Sequence, residues 1–230
     1  MSRHGRRVGA ALAGAALILT MTSCGSSGST ASPSKSEALA QELAALANRG
    51  SRSTWLVTYA FTRTTNAGAK LNESLVAAHV TARAGRAALD ISGGLGSLVV
   101  TAGAQTASCT IVGSKPECLR SKASGTNQPG AVYGGAVVSG RYSITRGDDS
   151  TLAGVGARCF FLALRHGAPL AGLGFSSEQC YSSAGIPLRS RIQRSGSLDE
   201  RTASNVQTAV GRAELLPILT PYGLQSLAPA

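Results

Sequence analysis

Ser53-Thr-Trp-Leu-Val-Thr-Tyr-Ala-Phe61 is the stretch that decides the fold. Trp55, Val57, Tyr59 and Phe61 alternate with Leu56, Thr58, Ala60 and Thr62. That period of two is what an extended chain needs to present one face to a core and one elsewhere. Asn66-Ala67-Gly68 breaks the run as a turn. Val76, Ala78, Val80 and Ala82 then alternate with His79, Thr81 and Arg83, and Arg86–Ile91, Ser97–Ala102 and Thr106–Val112 follow as short strands separated by glycine-containing turns.

Upstream of this stretch lies a single helix. Ser34 supplies an N-cap and Glu37 completes a Ser-x-x-Glu capping box. Leu39, Leu43 and Leu46 share one helical face, and Asn48-Arg49-Gly50 is a stop signal.

Downstream, residues 120–140 are rich in Gly, Ser and Ala and read as a long connection with at most a weak helical turn. Strands resume at Tyr142–Arg146, followed by the turn Gly147-Asp148-Asp149-Ser150. Gly156–Arg165 carries Cys159, Phe161 and Ala163 on one face and Phe160, Leu162 and Leu164 on the other; apolar on both faces, it is expected at the centre of a sheet. Gln179–Tyr181 and Ile186–Gln193 form a hairpin around Ser182-Ser183-Ala184-Gly185. Arg201–Val210 fits both a strand and a helix, and strand is the preferred reading. Pro217 and Pro221 mark an irregular end.

The N-terminus carries an address. Arg3, Arg6 and Arg7 precede an apolar run from Val8 to Met21, then Met21-Thr22-Ser23-Cys24 and a Gly/Ser-rich stretch. This is the layout of an export signal, too short for a spanning helix of roughly 20 apolar residues. Met21-Thr22-Ser23-Cys24 resembles a bacterial lipobox, although Met21 departs from the usual Leu, Val or Ile. The resemblance implies cleavage before Cys24 and acyl chains on its sulfur and new amino group. Each buried methylene adds ~0.8 kcal/mol, so two or three chains hold a protein on a membrane. An ordinary secreted protein with a chance cysteine is the weaker reading. The expected organisation is a signal peptide at 1–23, a lipidated flexible tether at 24–33 and one β-rich extracytoplasmic domain at 34–230, on the outer face of the cell membrane.

The whole chain of 230 residues has a formal charge of +11. Its basic side chains are mostly arginine, with four lysines, and with abundant Ala and Gly they suggest a high-GC, actinobacterial-type genome. Loss of the three signal arginines leaves a charge of +8. That balance fits either attraction to anionic headgroups or simply a soluble basic surface, and the soluble basic surface is the preferred reading. Nucleic acid is not expected as a partner, because the protein is exported and shows no basic-aromatic interleaving.

Beyond Cys24 the cysteines are Cys109, Cys118, Cys159 and Cys180. In an oxidising compartment an even set implies disulfides. Of the three pairings, Cys109–Cys118 with Cys159–Cys180 is preferred, since each pair flanks a strand connection. No Cys-x-x-Cys pair suggests zinc.

Catalytic patterns are missing. There is no Gly-x-Ser-x-Gly, no His-Glu-x-x-His and no phosphate loop. Ser32-Pro-Ser-Lys35 matches Ser-x-x-Lys but lies in the tether without its companion motifs. His79 and His166 have no recognisable partner in the sequence. Neither an enzyme, a metal nor a cofactor is expected.

Ser53–Phe61, Thr151-Leu-Ala-Gly-Val-Gly-Ala-Arg-Cys-Phe-Phe161 and Cys180-Tyr-Ser-Ser-Ala-Gly-Ile-Pro-Leu188 together resemble the LolA-like lipoprotein architecture, with the LprG/LppX lipoproteins the nearest comparison. The resemblance implies an α+β fold: an N-terminal helix, then a curved, mainly antiparallel half-barrel sheet, here disulfide-stabilised. It implies an apolar cavity that carries lipid. Trp55, Val57, Tyr59, Phe61 and Phe161 are the candidates for its concave face. The alternative is a structural or regulatory surface lipoprotein that presents loops to an envelope partner of unknown identity.

Overall fold

In the computed structural model, residues 34–82, 87–94, 96–123, 129–170 and 172–229 are described. Cys24, the signal and the tether therefore lie outside the described residues. The described residues begin with α1 (Lys35–Gly50), β1 (Trp55–Thr65), β2 (Lys70–Val80), β3 (Leu89–Gly94), β4 (Ser97–Ala102), β5 (Gln105–Val112) and β6 (Lys115–Lys122). They continue with α2 (Pro129–Val138), β7 (Tyr142–Arg146), β8 (Ser150–Leu152), β9 (Val155–Leu164), β10 (Ser176–Ser182), β11 (Pro187–Gln193), β12 (Ser197–Gln207) and α3 (Arg212–Leu219), then two short 3-10 turns. The fold is α+β, an N-terminal helix followed by one curved antiparallel sheet.

The capping box is present. Glu37 N–H donates to the Ser34 hydroxyl at 3.2 Å, and Ser34 N–H donates to Glu37 Oε2 at 2.8 Å. This satisfies two of the helix's orphan donors.

The twelve strands run in the order β6-β5-β4-β3-β2-β1-β12-β11-β10-β9-β7, with β8 paired to β9. Two meanders are thus joined where β1 meets β12, from Leu56 opposite Gln207 to Thr65 opposite Ser197. Register shifts interrupt the ladder between Thr58 and Tyr59 and between Cys180 and Tyr181. Such bulges increase local twist and bend a sheet.

Register separates the two faces. Leu56, Ala78, Ile91, Val100 and Ala107 stand opposite one another across β1–β5. All five are buried, and α3 closes over them with Leu215 and Leu219 at 0% exposure. The adjacent row, Trp55, His79, Asp90, Thr101 and Thr106, faces the other way. On that second face α1 and α2 pack over β7, β9 and β10, where Leu43, Leu46 and Val137 meet Tyr142, Ile144, Phe160, Leu162 and Tyr181. The two helical layers therefore cover opposite faces at opposite ends of the sheet. Among the described residues, neither helical layer packs over the second face of β2–β4.

Both preferred disulfides are present, Cys109–Cys118 and Cys159–Cys180. Each joins residues directly opposite in adjacent strands, β5 to β6 and β9 to β10.

Four expectations are corrected. The 120–140 connection contains the end of β6 and the ten-residue α2. Three glycines in α2 disfavour a helix, but docking supports it. Gly130 N–H donates to Asn48 Oδ1 at 3.0 Å, and a Cβ at Gly130 would strike α1. The irregular C-terminal end is instead α3, with Pro217 inside it. Pro217 forfeits one helical hydrogen bond, and burial of Leu215 and Leu219 offsets the loss. β9 is not central; only β7 and the short β8 lie outside it at that edge. Its two apolar faces arise because α1 covers one while the β8 hairpin and the second disulfide cover part of the other. Finally, the strand expected at 86–91 is shifted to Leu89–Gly94. For the ambiguous 201–210 segment, β12 extends as a strand to Gln207.

Candidate functional site

The second face of β1–β4 forms the floor of a groove of about 400 Å³. Trp55, Ala77, His79, Asp90, Ser92, Val99 and Thr101 line the floor. The walls are the end of α1 at Ala47, Gly50 and the C-cap Ser51, Tyr133 of α2, Tyr181 of β10, Gly185 of the β10–β11 turn, Pro187 of β11, and Tyr59 and Arg201. The volume falls within the ~300–1,000 Å³ of small-molecule pockets.

Trp55 anchors one wall. Its indole N–H donates to the Gly50 carbonyl at 2.9 Å, tying β1 to the end of α1. Nearby, α1 and the β10–β11 turn approach closely through two glycines. Gly185 has a φ of +83°, and a Cβ there would strike the Leu46 carbonyl oxygen. A Cβ at Gly50 would strike the Gly185 carbonyl.

Tyr59 is 2% exposed and donates its hydroxyl to the Pro187 carbonyl at 2.8 Å. Burial pushes its phenol up to about 12, against a smaller opposing pull from Arg201. Tyr133 and Tyr181 share a hydroxyl–hydroxyl hydrogen bond of 2.9 Å, and Tyr133 also donates to Gln179 Oε1 at 3.4 Å. Burial raises both phenols, so both stay protonated near neutrality.

Across the floor, His79 Nδ1 lies 2.6 Å from Asp90 Oδ1. The His79 side chain is 7% exposed, and its Nε2 is buried without a hydrogen-bond partner. No hydroxyl or thiol among the described residues hydrogen-bonds it, so a nucleophile–base pair is not assembled here.

The sequence-derived residues divide. Trp55 and Tyr59 line the groove. Val57, on the same face, is 0% exposed and packs into the core with Ile186 and Leu188. Phe61 is half-buried, with the Arg63 guanidinium 5.8 Å from its ring, and is not among the lining residues. Phe161 is a correction. It pairs with Glu178 and Thr145 on the face away from α1 and is 44% exposed, while Phe160 points under α1. Both faces of β9 are apolar, so alternation alone did not say which one turns inward. His79, Asp90, Tyr133, Tyr181 and Arg201 were not anticipated as lining residues. The β1–β2 register placing Trp55 opposite His79 was the available signal.

Cys159, Cys180 and Glu178 cluster within metal-ligand distance, but the two sulfurs are bonded to each other and offer no thiolate. No helix among the described residues is long and apolar enough to cross a membrane.

No protein-family model matches the chain, and no curated protein matches its sequence. Among solved structures it is similar to MucB, with a TM-score of 0.50 and 16% identity over 75% of this chain. The chain spans 60% of the length of that MucB structure. Looser likenesses are to LprF from Mycobacterium bovis (TM-score 0.36, 12% identity, 75% of this chain and 95% of that one) and to a LolA superfamily protein from Nitrosomonas europaea (TM-score 0.31, 10% identity, 76% and 96%). What the chain shares with the overlapping part of MucB is its fold.

Proposed function

We propose that this protein is a lipid-anchored, extracytoplasmic binding protein whose groove takes the apolar chain of a lipid or another hydrophobic ligand. The observation that carries this reading is the face of β2–β4 that, among the described residues, neither helical layer covers. Trp55, Tyr59, Ala77, Val99 and Pro187 form an apolar trough of about 400 Å³ there, while α3 closes the opposite face. Burying a chain in such a trough gains roughly 25 cal/mol per Å² of apolar surface removed from water. Cleavage before Cys24 and acylation of its sulfur would hold the domain where such ligands partition. Function then rests on binding, with no covalent step.

The test is to extract protein isolated from envelope membranes with organic solvent and analyse the extract by mass spectrometry. About one chain-bearing molecule per protein, beyond the acyl groups on Cys24, is expected. A lipid-free extract contradicts the reading.

A second reading, a surface presented to an envelope protein, is favoured by the sheet edge at β5 and β6. Val112 and Leu119 are 57% and 81% exposed there. Substituting both with Ser should abolish capture of such a partner without altering lipid content.

A further inference from the structure

Arg201 projects from β12 into the groove wall with its guanidinium 5.6 Å from the centre of the Tyr59 ring. It is only partly exposed. All eleven acidic residues of the chain lie among the described residues, and none forms an ion pair with Arg201. Glu73, in the same cross-strand row beyond Phe61, forms no ion pair with Arg201, and the neighbouring carboxylates on β12 and β10 are already engaged. Asp199 is held by Arg63 and Arg194, Glu200 by Arg191 and Glu178 by Arg189. No hydrogen bond leaves the Arg201 guanidinium for any described residue.

A half-buried cation that faces the Tyr59 ring loses hydration without gaining an opposite charge. The surroundings suit an anion. The charge of Arg201 acts on Tyr59, Tyr133 and Tyr181, pulling against their raised titration. The hydroxyls of Tyr133 and Tyr181 stay protonated, so this wall adds no negative charge beside Arg201. Asp90 lies on the far floor, across β1 and β2 from β12, and repels an anion at that end.

We infer that the groove selects a single-chain amphiphile with an anionic head, a carboxylate or a phosphate monoester, and that Arg201 pairs with that head. This rests on the binding reading above and narrows its ligand class. The volume of about 400 Å³ is at the low end of the ~300–1,000 Å³ range, which favours one chain over several. The guanidinium fork supplies parallel donors that match either head group.

The test uses the full chain in liposomes with three photoactivatable probes of equal chain length: palmitic acid, the corresponding lysophosphatidic acid and the neutral hexadecanol. Labelling is mapped to groove peptides by mass spectrometry. At least one anionic probe should label the groove about tenfold more than the alcohol, as a charge-assisted hydrogen bond implies. Which anionic probe does so identifies the head. Arg201→Gln should bring labelling by the anionic probes down to that of the alcohol measured in the same variant, and Arg201→Lys should keep part of the preference. Equal labelling by acids and alcohol, unchanged in both variants, overturns the role of Arg201 while the binding reading survives. No groove labelling by any probe overturns the binding reading itself.

Discussion

The indole N–H of Trp55 donates to the carbonyl of Gly50 at 2.9 Å, so the strand that floors the groove is fastened to the last turn of the helix that walls it. Trp55→Phe keeps the ring and loses that bond, with an expected loss of about 1 kcal/mol. Trp55→Ala also removes the aromatic packing, and a loss of about 3 kcal/mol is expected. Because Trp55 is the only tryptophan, both variants are followed by urea titration with circular dichroism.

Gly185 presses its backbone against α1 at a φ of +83°, and a side chain there would collide with the Leu46 carbonyl. Gly185→Ala is expected to destabilise by more than about 2 kcal/mol, since strain and overlap act together. Gly113 has a φ of +65° with nothing within 4 Å of a Cβ, so Gly113→Ala isolates the conformational part, about 1 kcal/mol. Equal losses in the two variants would contradict the close approach of α1 to the β10–β11 turn.

These contacts show which parts of the structure the sequence disclosed. Ser34 and Glu37 act through bonds spanning three residues, so α1 was legible from local pattern. The alternation from Trp55 to Phe61 exposed β1 for the same reason, and adjacent-strand geometry suited the cysteine pairs. Helix α2 was hidden because its three glycines argue against a helix, and its support comes from Asn48, far away in the chain. Helix α3 was masked by Pro217 and depends on buried Leu215 and Leu219. Groove residues such as Tyr133, Tyr181 and Arg201 meet only through the β1–β12 joint and α2 docking, which no local period encodes. Phe161 was assigned inward because alternation divides a strand into faces without orienting them.

Asp199 stands opposite Arg63 and accepts its Nε–H and Nη2–H at 2.6 and 2.8 Å, with Arg194 at 3.2 Å. The Arg63 hydrogen bond foremost, then Arg194, holds its carboxyl below the ordinary value of 3.8 against the opposing effect of burial. A folded pKa below the unfolded one stabilises the protein above the unfolded value, and the contribution fades as pH falls through the folded value. Asp199→Asn should therefore lose about 2 kcal/mol at pH 7. The gap from wild type should close below pH 3.8 in parallel urea titrations. A gap unchanged at low pH would contradict the ion pair as its source.

Cys24 is the proposed acylation site and is separate from the two disulfide pairs. Cells fed an alkyne-bearing fatty acid should incorporate label into the wild-type chain, and Cys24→Ala should lose it entirely. Label retained in the variant would place the lipid elsewhere or remove it from the account.

The central claim is that an apolar chain enters the groove beside Trp55, and the lone tryptophan reports on this directly. Brominated acyl chains quench indole fluorescence only at contact. Titration of the purified protein with a dibromostearoyl probe should quench Trp55 saturably near one equivalent, and an unbrominated chain should reverse it. Quenching no greater than that of free tryptophan at the same probe concentration would contradict the claim.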